Sequence, residues 1–440
     1  MTLLLLFFMS GSVSGAATTD TLTLAQAYEA SEAHFPLMRR NRIAERLLAL
    51  QLESIDAAYR PSVSLEGQGV FQSAVPEIPI RLPDAAVPSI PRDQYRAALN
   101  VAQVLYDGGA GEVSRRLASV SVRTTGGEVD VALHELREHI NDAYFGALVQ
   151  EAAYSTLEIL HEEILARRRA LRAQVGEGTA AEGAVDVLEV ELLSIEQQMI
   201  SARQARLAAL EALGVLTGRP TSEETALVVP DVDVDRAREL AELLEFEAGT
   251  TAPSAAARPR YRLFEAHRER LALEREMLGR KRRPTLAAFA TAAYGRPAGL
   301  DIFETDLSPF YSFGMRMSWS VWDWKISERE QEALSLQVAG VDAQEDAFSQ
   351  TIRAAGRREL QEIGRLGAVI AQDRRIVELH ERIAERAGRR FENGVISATE
   401  FLLQRHAAHR AALQWERHDI EHRHAIVRYL TIFGRIDEAL

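Results

Sequence analysis

The stretch Tyr311–Leu334, YSFGMRMSWSVWDWKISEREQEAL, changes character halfway along. Tyr311, Phe313, Met315, Met317, Trp319 and Val321 are large and apolar, whereas Ser312, Gly314, Arg316, Ser318 and Ser320 between them are small or polar. That alternation is the period of a strand with one apolar face and one wet face. From Ser327 onward the residues are helix formers, SEREQEALSLQ, and mostly polar. Six large side chains on one face of a strand need an apolar surrounding, and the polar helix that follows does not supply it.

Proline placement extends the reading to the whole chain. All 14 prolines lie within residues 36–91 or 220–309, leaving 92–219 and 310–440 free of them. Proline is expelled from helix interiors because it lacks an N–H and clashes with the preceding turn. The two proline-free runs are therefore expected to hold long helices. Leu188, Leu192, Ile195, Met199, Ala202, Leu210 and Leu213 follow a packing seam; so do Leu136, Ile140, Tyr144 and Leu148, and Ile352, Leu360, Ile363, Leu366 and Ile370.

Each run has one break. In VGEGTAAEG, Gly176 and Gly178 suit a left-handed helix end, and Thr179 with Glu182 forms a T-x-x-E capping box. In FENGVISATE, Asn393-Gly394 ends a helix, Val395 follows in the turn, and Ser397 with Glu400 forms an S-x-x-E box. Each run thus reads as an antiparallel helical hairpin, with a first arm of roughly 100 Å at 1.5 Å per residue.

Two strand-like segments precede each hairpin: about 61–73 and 94–106, then about 284–294 and 309–322. Val63, Leu65, Phe71, Tyr95, Leu99 and Val101 are expected on one face, with Glu66, Gln68, Arg96 and Asn100 on the other. PTLAAFATAAY, 284–294, alternates poorly. At this length tilted strands can cross a membrane. Residues 74–93, with five prolines, are expected to form an exposed loop.

The chain is a tandem repeat of helix, strand, strand, long helix, helix. Pro61 matches Pro284, Asp107 matches Asp323 and Gly218 matches Gly434, in one order at nearly one offset. The expected organisation is a signal peptide (1–16), a first repeat (17–218, hairpin about 110–217), a linker (219–257) and a second repeat (258–440, hairpin about 326–434). Leu3–Met9 is the apolar core of that signal peptide and Ser14-Gly15-Ala16 its cleavage site. No later apolar run is long enough to span a bilayer as a helix, so a membrane is entered, if at all, as a barrel.

The net charge of −13 argues against a nucleic-acid partner. The absence of cysteine excludes disulfides, thiolate metal sites and a lipid-modified N-terminal cysteine.

These motifs resemble the TolC-type outer-membrane efflux proteins. LYDGGAGEVSRR resembles the family's entry into its long helix, RRFENGVISATEFLLQRHAAHRAAL its hairpin tip and LEALGVLTGRP its closing motif; the resemblance covers residues 20–436. Asp323-Trp324-Lys325 departs from the D-G-G of the first copy.

The resemblance implies a homotrimer, with four strands per chain in a twelve-stranded barrel that continues into a helical periplasmic tunnel. Physics alone allows eight strands or twelve; eight are filled by their own side chains, whereas twelve leave a lumen. Leu65, Leu99, Phe313, Met315, Met317 and Trp319 would face outer-membrane lipid. The implied role is an exit duct for efflux or type I secretion, served by a periplasmic adaptor and an inner-membrane pump and without cofactor or catalysis. The resemblance also implies acidic gate rings at the hairpin tips. The matching residue is Glu400, six after Gly394, and in the first copy Asp186, eight after Gly178. The family's tyrosine before the tip glycine is Phe391 here, and a second acid after Glu400 is Leu403. Glu400 as the closing member of a capping box is the competing reading.

Two other classes compete. A periplasmic coiled-coil scaffold would keep the helices without a pore. HDIEH, His418–His422, matches an inverted zinc-protease signature, but only the short segment Arg423–Leu440 follows it to supply a third ligand. The arginine clusters at 167–169, 374–375 and 389–390 lie among acids, as solvated faces and interhelical pairs do.

Overall fold

The computed structural model describes residues 21–75, 91–232, 258–296, 299 and 306–436. The expected signal peptide, most of the proline-rich loop and residues 233–257 of the expected linker lie outside the described residues.

In chain order the elements are β1 (Thr21–Leu22), α1 (Leu24–His34), α2 (Met38–Ala57), β2 (Ser62–Phe71), β3 (Asp93–Tyr106), α3 (Ala110–Gly176), α4 (Glu182–Thr217), β4 (Ala226–Leu227), α5 (Pro259–Lys281), β5 (Thr285–Arg296), β6 (Ser308–Ser318), α6 (Ile326–Glu392) and α7 (Ala398–Ile432). The two long helices, α3 and α6, have 67 residues each, and each begins three residues after the matched aspartate of its repeat, Asp107 or Asp323. The repeat thus extends from single landmarks to entire elements. Among the described residues no helix is long and apolar enough to cross a membrane.

The chain divides into two compact units. The first contains residues 1–38, 130–259 and 348–440. Its core joins Tyr28, Ile140, Tyr144, Phe145, Leu213, Ile363, Leu366, Ile426 and Leu430. A second cluster gathers Ile164, Leu188, Leu192, Ile195, Phe401 and Leu402. The residues on the seams read from periodicity are buried or partly buried here, so an apolar stripe at helical spacing does find partner helices. A buried polar chain crosses the first cluster: the Tyr28 hydroxyl donates to Asn141 Oδ1, and Asn141 Nδ2 donates to Thr431 Oγ1 at 3.2 Å. Beside it, the fully buried Tyr144 hydroxyl lies 2.8 Å from the Leu22 carbonyl and 2.6 Å from that of Val228, at the parallel β1–β4 pair. Desolvation pushes its phenol pKa up, so the group is a donor throughout the accessible pH range.

The second unit contains residues 39–129 and 260–347 and carries a four-stranded antiparallel sheet in the order β2-β3-β5-β6. The register puts Leu65 opposite Leu99, Leu99 opposite Ala292 and Ala292 opposite Tyr311. The same row-by-row alignment brings Val63, Val101, Ala290 and Phe313 together. The poor alternation of PTLAAFATAAY has its cause in this register. Ala288, Ala290 and Ala292 lie opposite Met315, Phe313 and Tyr311, so small residues alternate with large ones across strands. On the other face the Phe289 ring covers Gly314, where an added Cβ would meet it at 3.0 Å.

Strand β6 ends at Ser318, not at 322 as expected. Its last partner is Thr285, because the preceding Pro284 has no N–H to continue the ladder. Trp319 lies just past the strand, with its indole N–H donating to the Arg282 carbonyl at 3.1 Å.

The strand-to-helix joints repeat the same turn. Asp107 accepts from the Gly109 and Gly111 amides at 2.9 and 2.5 Å, and Asp323 accepts from those of Lys325 and Ser327 at 3.1 and 3.2 Å. Burial works against the Asp107 charge, but hydrogen bonds from Tyr59, Gly111 and Gly109 outweigh it and hold the carboxyl below its ordinary range. The Ser327 hydroxyl and amide do the same for Asp323. The turn demands two residues with positive φ, which are Gly108 and Gly109 in the first copy (φ 76° and 87°) but Trp324 and Lys325 in the second (φ 54° and 62°).

Replacing Tyr144 with phenylalanine removes the hydroxyl between the two buried carbonyls and is expected to cost about 1–3 kcal/mol. Chemical denaturation with an unchanged m-value measures it; a loss below a few tenths of a kcal/mol contradicts the assignment.

Candidate functional site

Two regions carry the functional expectations: the exposed face of the sheet and the tips of the helical hairpins.

On the sheet, Leu65, Leu99, Phe313, Met315 and Met317 all belong to one apolar face, and all are exposed in the single chain. Phe313 is 80% and Leu65 79% exposed, far beyond what isolated surface residues of a water-soluble domain show together. Trp319, also exposed, is beyond the strand as described above. The opposite face carries Ser64, Glu66, Gln68, Arg96, Asn100, Thr291, Ser312 and Arg316. The Thr291 hydroxyl donates to Asn100 Oδ1 at 2.9 Å, and Arg316 stacks over Phe289 at 5.3 Å. Strands β2 and β6 are the edges, each paired on one side only.

At the first tip, Gly178 (φ 74°) closes α3: its amide donates to the Val175 carbonyl at 3.0 Å and the Thr179 amide to that of Gln174 at 2.9 Å. At the second, Gly394 (φ 69°) donates to Phe391 at 2.9 Å and Val395 to Arg390 at 2.8 Å. These are paired Schellman closures, one at the same place in each repeat. Gly176 is the last helical residue and not the left-handed one.

The expected capping boxes are corrected. Thr179 turns its hydroxyl back to the Gln174 carbonyl, and the start of α4 is Ala181, which offers no side-chain cap. Ser397 does cap α7, accepting from the Glu400 amide at 3.1 Å. The Glu400 carboxylate does not return the bond: it is exposed and has no partner among the described residues. Asp186 is likewise exposed. The two acids do not occupy matching positions, since aligning the repeats on Gly178 and Gly394 puts Ala184 opposite Glu400 and the buried Leu402 opposite Asp186.

Between the tips lies a cleft of about 330 Å³ lined by Glu163, Arg167, Leu171, Gln174 and Phe391, among others. Arg167 anchors it by stacking over Phe401 at 4.4 Å and pairing with Glu163 and Glu392 at 3.4 and 2.9 Å. Phe391 stacks on Phe401 at 5.2 Å, a packing role that needs no hydroxyl. Arg168 pairs with Glu189 at 2.5 Å, so these two members of the first arginine cluster make interhelical links. The cleft was not legible beforehand, because it is assembled from α3 and α6, far apart in the chain.

The HDIEH segment is committed elsewhere. His418 Nδ1 lies 2.6 Å from Asp373 Oδ2, and Glu421, the would-be base, pairs with Arg417 at 2.7 Å. Among the described residues no group of three histidines or carboxylates converges as a metal site.

No family model and no curated protein matches the chain. Solved structures do. The outer membrane protein VceC of Vibrio cholerae superposes with a TM-score of 0.65 at 13% identity, over 93% of this chain and 96% of that one. The CmeC outer membrane channel of Campylobacter jejuni gives 0.64 at 15%, over 94% and 86%. The open state of the MtrE outer membrane channel of Neisseria gonorrhoeae gives 0.63 at 15%, over 94% and 89%. The chain has the outer-membrane channel fold. At these identities the likeness is one of architecture, and it spans nearly the whole length of both partners. The channel fold accounts for the order of strands and long helices, and it agrees with the TolC-type resemblance read from the motifs.

An alanine at Gly394 or Gly178 meets no atom within 4 Å, so its cost is that of the left-handed backbone alone. Each substitution is expected to destabilise by about 1–2 kcal/mol. Thermal unfolding of the purified protein measures this, and an unchanged midpoint for both contradicts the closures described.

Proposed function

We propose that the chain is one subunit of a homotrimeric outer-membrane exit duct, conducting small molecules or proteins passively across the outer membrane and periplasm. The observation that carries this is the sheet. One face of its four strands carries Leu65, Leu99, Phe313, Met315 and Met317 and the other most of its polar side chains, its two edges are unpaired among the described residues, and both halves lead into 67-residue helices. In hydrocarbon an unpaired backbone group costs several kcal/mol, so such a sheet enters lipid only when other copies close it into a barrel. Three copies make twelve strands, enough for a lumen lined by the polar face. The fold shared with outer membrane channels supports the same reading.

In this reading the hairpin tips, separated from the sheet along the chain by α3 and α6, meet a periplasmic adaptor and through it an inner-membrane pump. Glu400 and Asp186 are proposed to line the periplasmic entrance. Three copies of a carboxylate in a narrow opening repel one another and attract cations. Because the two acids do not match in position, they would form two offset rings instead of one double ring.

Single-channel recording of the purified protein in a planar bilayer tests the proposal. Discrete conductance steps are expected; a protein that fractionates with the outer membrane but never conducts overturns it in favour of a scaffold.

Met315→Arg, at mid-strand on the apolar face, is expected to cost about 2–4 kcal/mol of insertion free energy. Ser312→Arg, on the polar face, is expected to insert normally and change conductance. Equal tolerance of both in an outer-membrane assembly assay contradicts the assignment of faces.

Glu400→Gln keeps the Ser397 cap, which uses only the Glu400 backbone, and removes the charge. Weaker cation selectivity and weaker block by multivalent cations are expected, with thermal stability unchanged. Unaltered selectivity and block would remove Glu400 from the entrance.

A further inference from the structure

The two strand-to-helix joints share one backbone geometry but not one surface. The turn requires two consecutive left-handed residues, a conformation that glycine adopts freely and other residues adopt at a cost. The first copy uses Gly108 and Gly109, and the second uses Trp324 and Lys325 at φ 54° and 62°. Strain kept at a place where the same chain shows the relaxed alternative points to a use for the side chains.

Those side chains are free to act. Trp324 is 74% exposed and stands edge-on to Trp322, which is also exposed, with ring centroids 5.8 Å apart. Trp322 takes the place of Tyr106 of the first copy, each standing just before the matched aspartate. The Lys325 ammonium lies 3.8 Å from Glu328, a loose contact between two exposed groups.

The chain entering the neighbouring strand differs in the same sense. Before Pro61 the first copy reads Ala58-Tyr59-Arg60, with the Tyr59 hydroxyl donating to Asp107 at 2.5 Å. Before Pro284 the second copy reads Lys281-Arg282-Arg283, all exposed and none in an ion pair among the described residues. This basic segment runs between the two joints and meets them differently. Its backbone presses on the first, where a Cβ at Gly108 would meet the Arg280 carbonyl at 2.8 Å and Arg283 Cβ at 2.9 Å, leaving no room for a side chain. Toward the second it is tied by the Arg282 carbonyl, which accepts from Trp319, and the Arg282 charge favours the ionised form of Asp323. The oxygens of Asp323 are already taken by Lys325 and Ser327. Trp322 and Trp324 lie four and six residues past the end of β6, and the Arg282 backbone of the basic segment is tied to Trp319 at that same end.

We propose that the second joint, with the basic segment beside it, is a docking surface for anionic phospholipid headgroups of the periplasmic leaflet. Trp322 and Trp324 are seated among the glycerol and upper acyl groups, with Lys281, Arg282, Arg283 and Lys325 on the phosphates. Indole rings favour the membrane–water boundary, and exposed basic residues beside it favour an anionic surface. The proposal rests on the barrel reading of the sheet and adds to it a lipid preference carried by one of two otherwise matching joints.

The test uses the full-length protein reconstituted into vesicles of phosphatidylcholine alone or mixed with phosphatidylglycerol. Preferential partitioning into the mixed vesicles is expected, falling about fivefold for each of the cations removed in Lys281→Gln, Arg282→Gln and Arg283→Gln. The double substitution Trp324→Gly with Lys325→Gly restores the turn sequence of the first joint. It is expected to lose preference for the mixed vesicles while unfolding at a higher temperature in detergent, since the strain is gone. A double variant that keeps the lipid preference but dissociates into monomers assigns these side chains to a subunit contact and overturns the proposal. Protein that resists alkaline extraction from both vesicle types yet shows no lipid preference overturns it too and leaves the barrel standing. Failure to insert into either vesicle overturns the barrel reading instead. If inorganic phosphate in detergent stabilises the wild type as much as phosphatidylglycerol does, the surface is an anion site and not a lipid-docking one, and the proposal falls.

Discussion

The unpaired edges of the four-stranded sheet constrain everything else in the molecule. A strand edge is a row of N–H and C=O groups, and both β2 and β6 present one. In water such edges are blunted by charge or by bulges; here the face beside them is apolar from Leu65 to Met315. The proposed duct accounts for both features: in a closed barrel in hydrocarbon, backbone groups would be satisfied between subunits and the apolar face would need no protein to cover it. The polar face then follows as the lumen of the proposed duct. The helix that leaves β6 is polar because, in that duct, it has left the lipid.

The duplication explains how one chain supplies this twice. Elements, turn glycines and helix lengths recur from one repeat to the next, and the Schellman closures at Gly178 and Gly394 match bond for bond. What varies is what each copy hangs on the shared frame. The first joint is glycine held close under the Arg280 carbonyl and stitched inward by Tyr59, and the second carries a tryptophan and a lysine turned outward. The tips diverge as well, since Ser397 caps α7 where Ala181 leaves α4 uncapped. In the proposed trimer, two unlike halves per subunit would leave only three-fold symmetry in the surface chemistry.

Much of this was legible in the sequence, for reasons of period and exclusion. Proline is barred from helix interiors, so its placement marked α3, α4, α6 and α7 before any other argument. Alternation marked β6 because its two faces meet different surroundings. Where the sequence misled, a local pattern had a stronger competitor. Thr179 and Glu182 have the spacing of a capping box, but the Thr179 hydroxyl finds the orphan Gln174 carbonyl of the helix just ended. Trp319 continues the alternation of β6, but Pro284 cannot extend the ladder beyond Ser318. The alanines of β5 hid a strand because cross-strand packing, not alternation, chose them. The cleft around Arg167 left no signal at all, being assembled from helices of different repeats.

In the lipid-docking proposal, contacts with the membrane surface offset part of the strain at the second joint. Two left-handed residues that are not glycine cost about 1–2 kcal/mol each. A cation beside an anionic surface returns about 1 kcal/mol, and an indole at the boundary adds a further favourable contribution. Together the two residues cost about 2–4 kcal/mol, more than one cation returns, so the exchange of Gly-Gly for Trp-Lys does not raise the stability of the chain. What it changes is position. In the lipid-docking proposal the glycines of the first joint contribute no side chain at the membrane boundary, whereas the ring and ammonium of the second resist displacement along the membrane normal. In the proposed duct, whose tips would meet an adaptor at a set distance from the membrane, side chains that fix depth have more use than another stabilising contact.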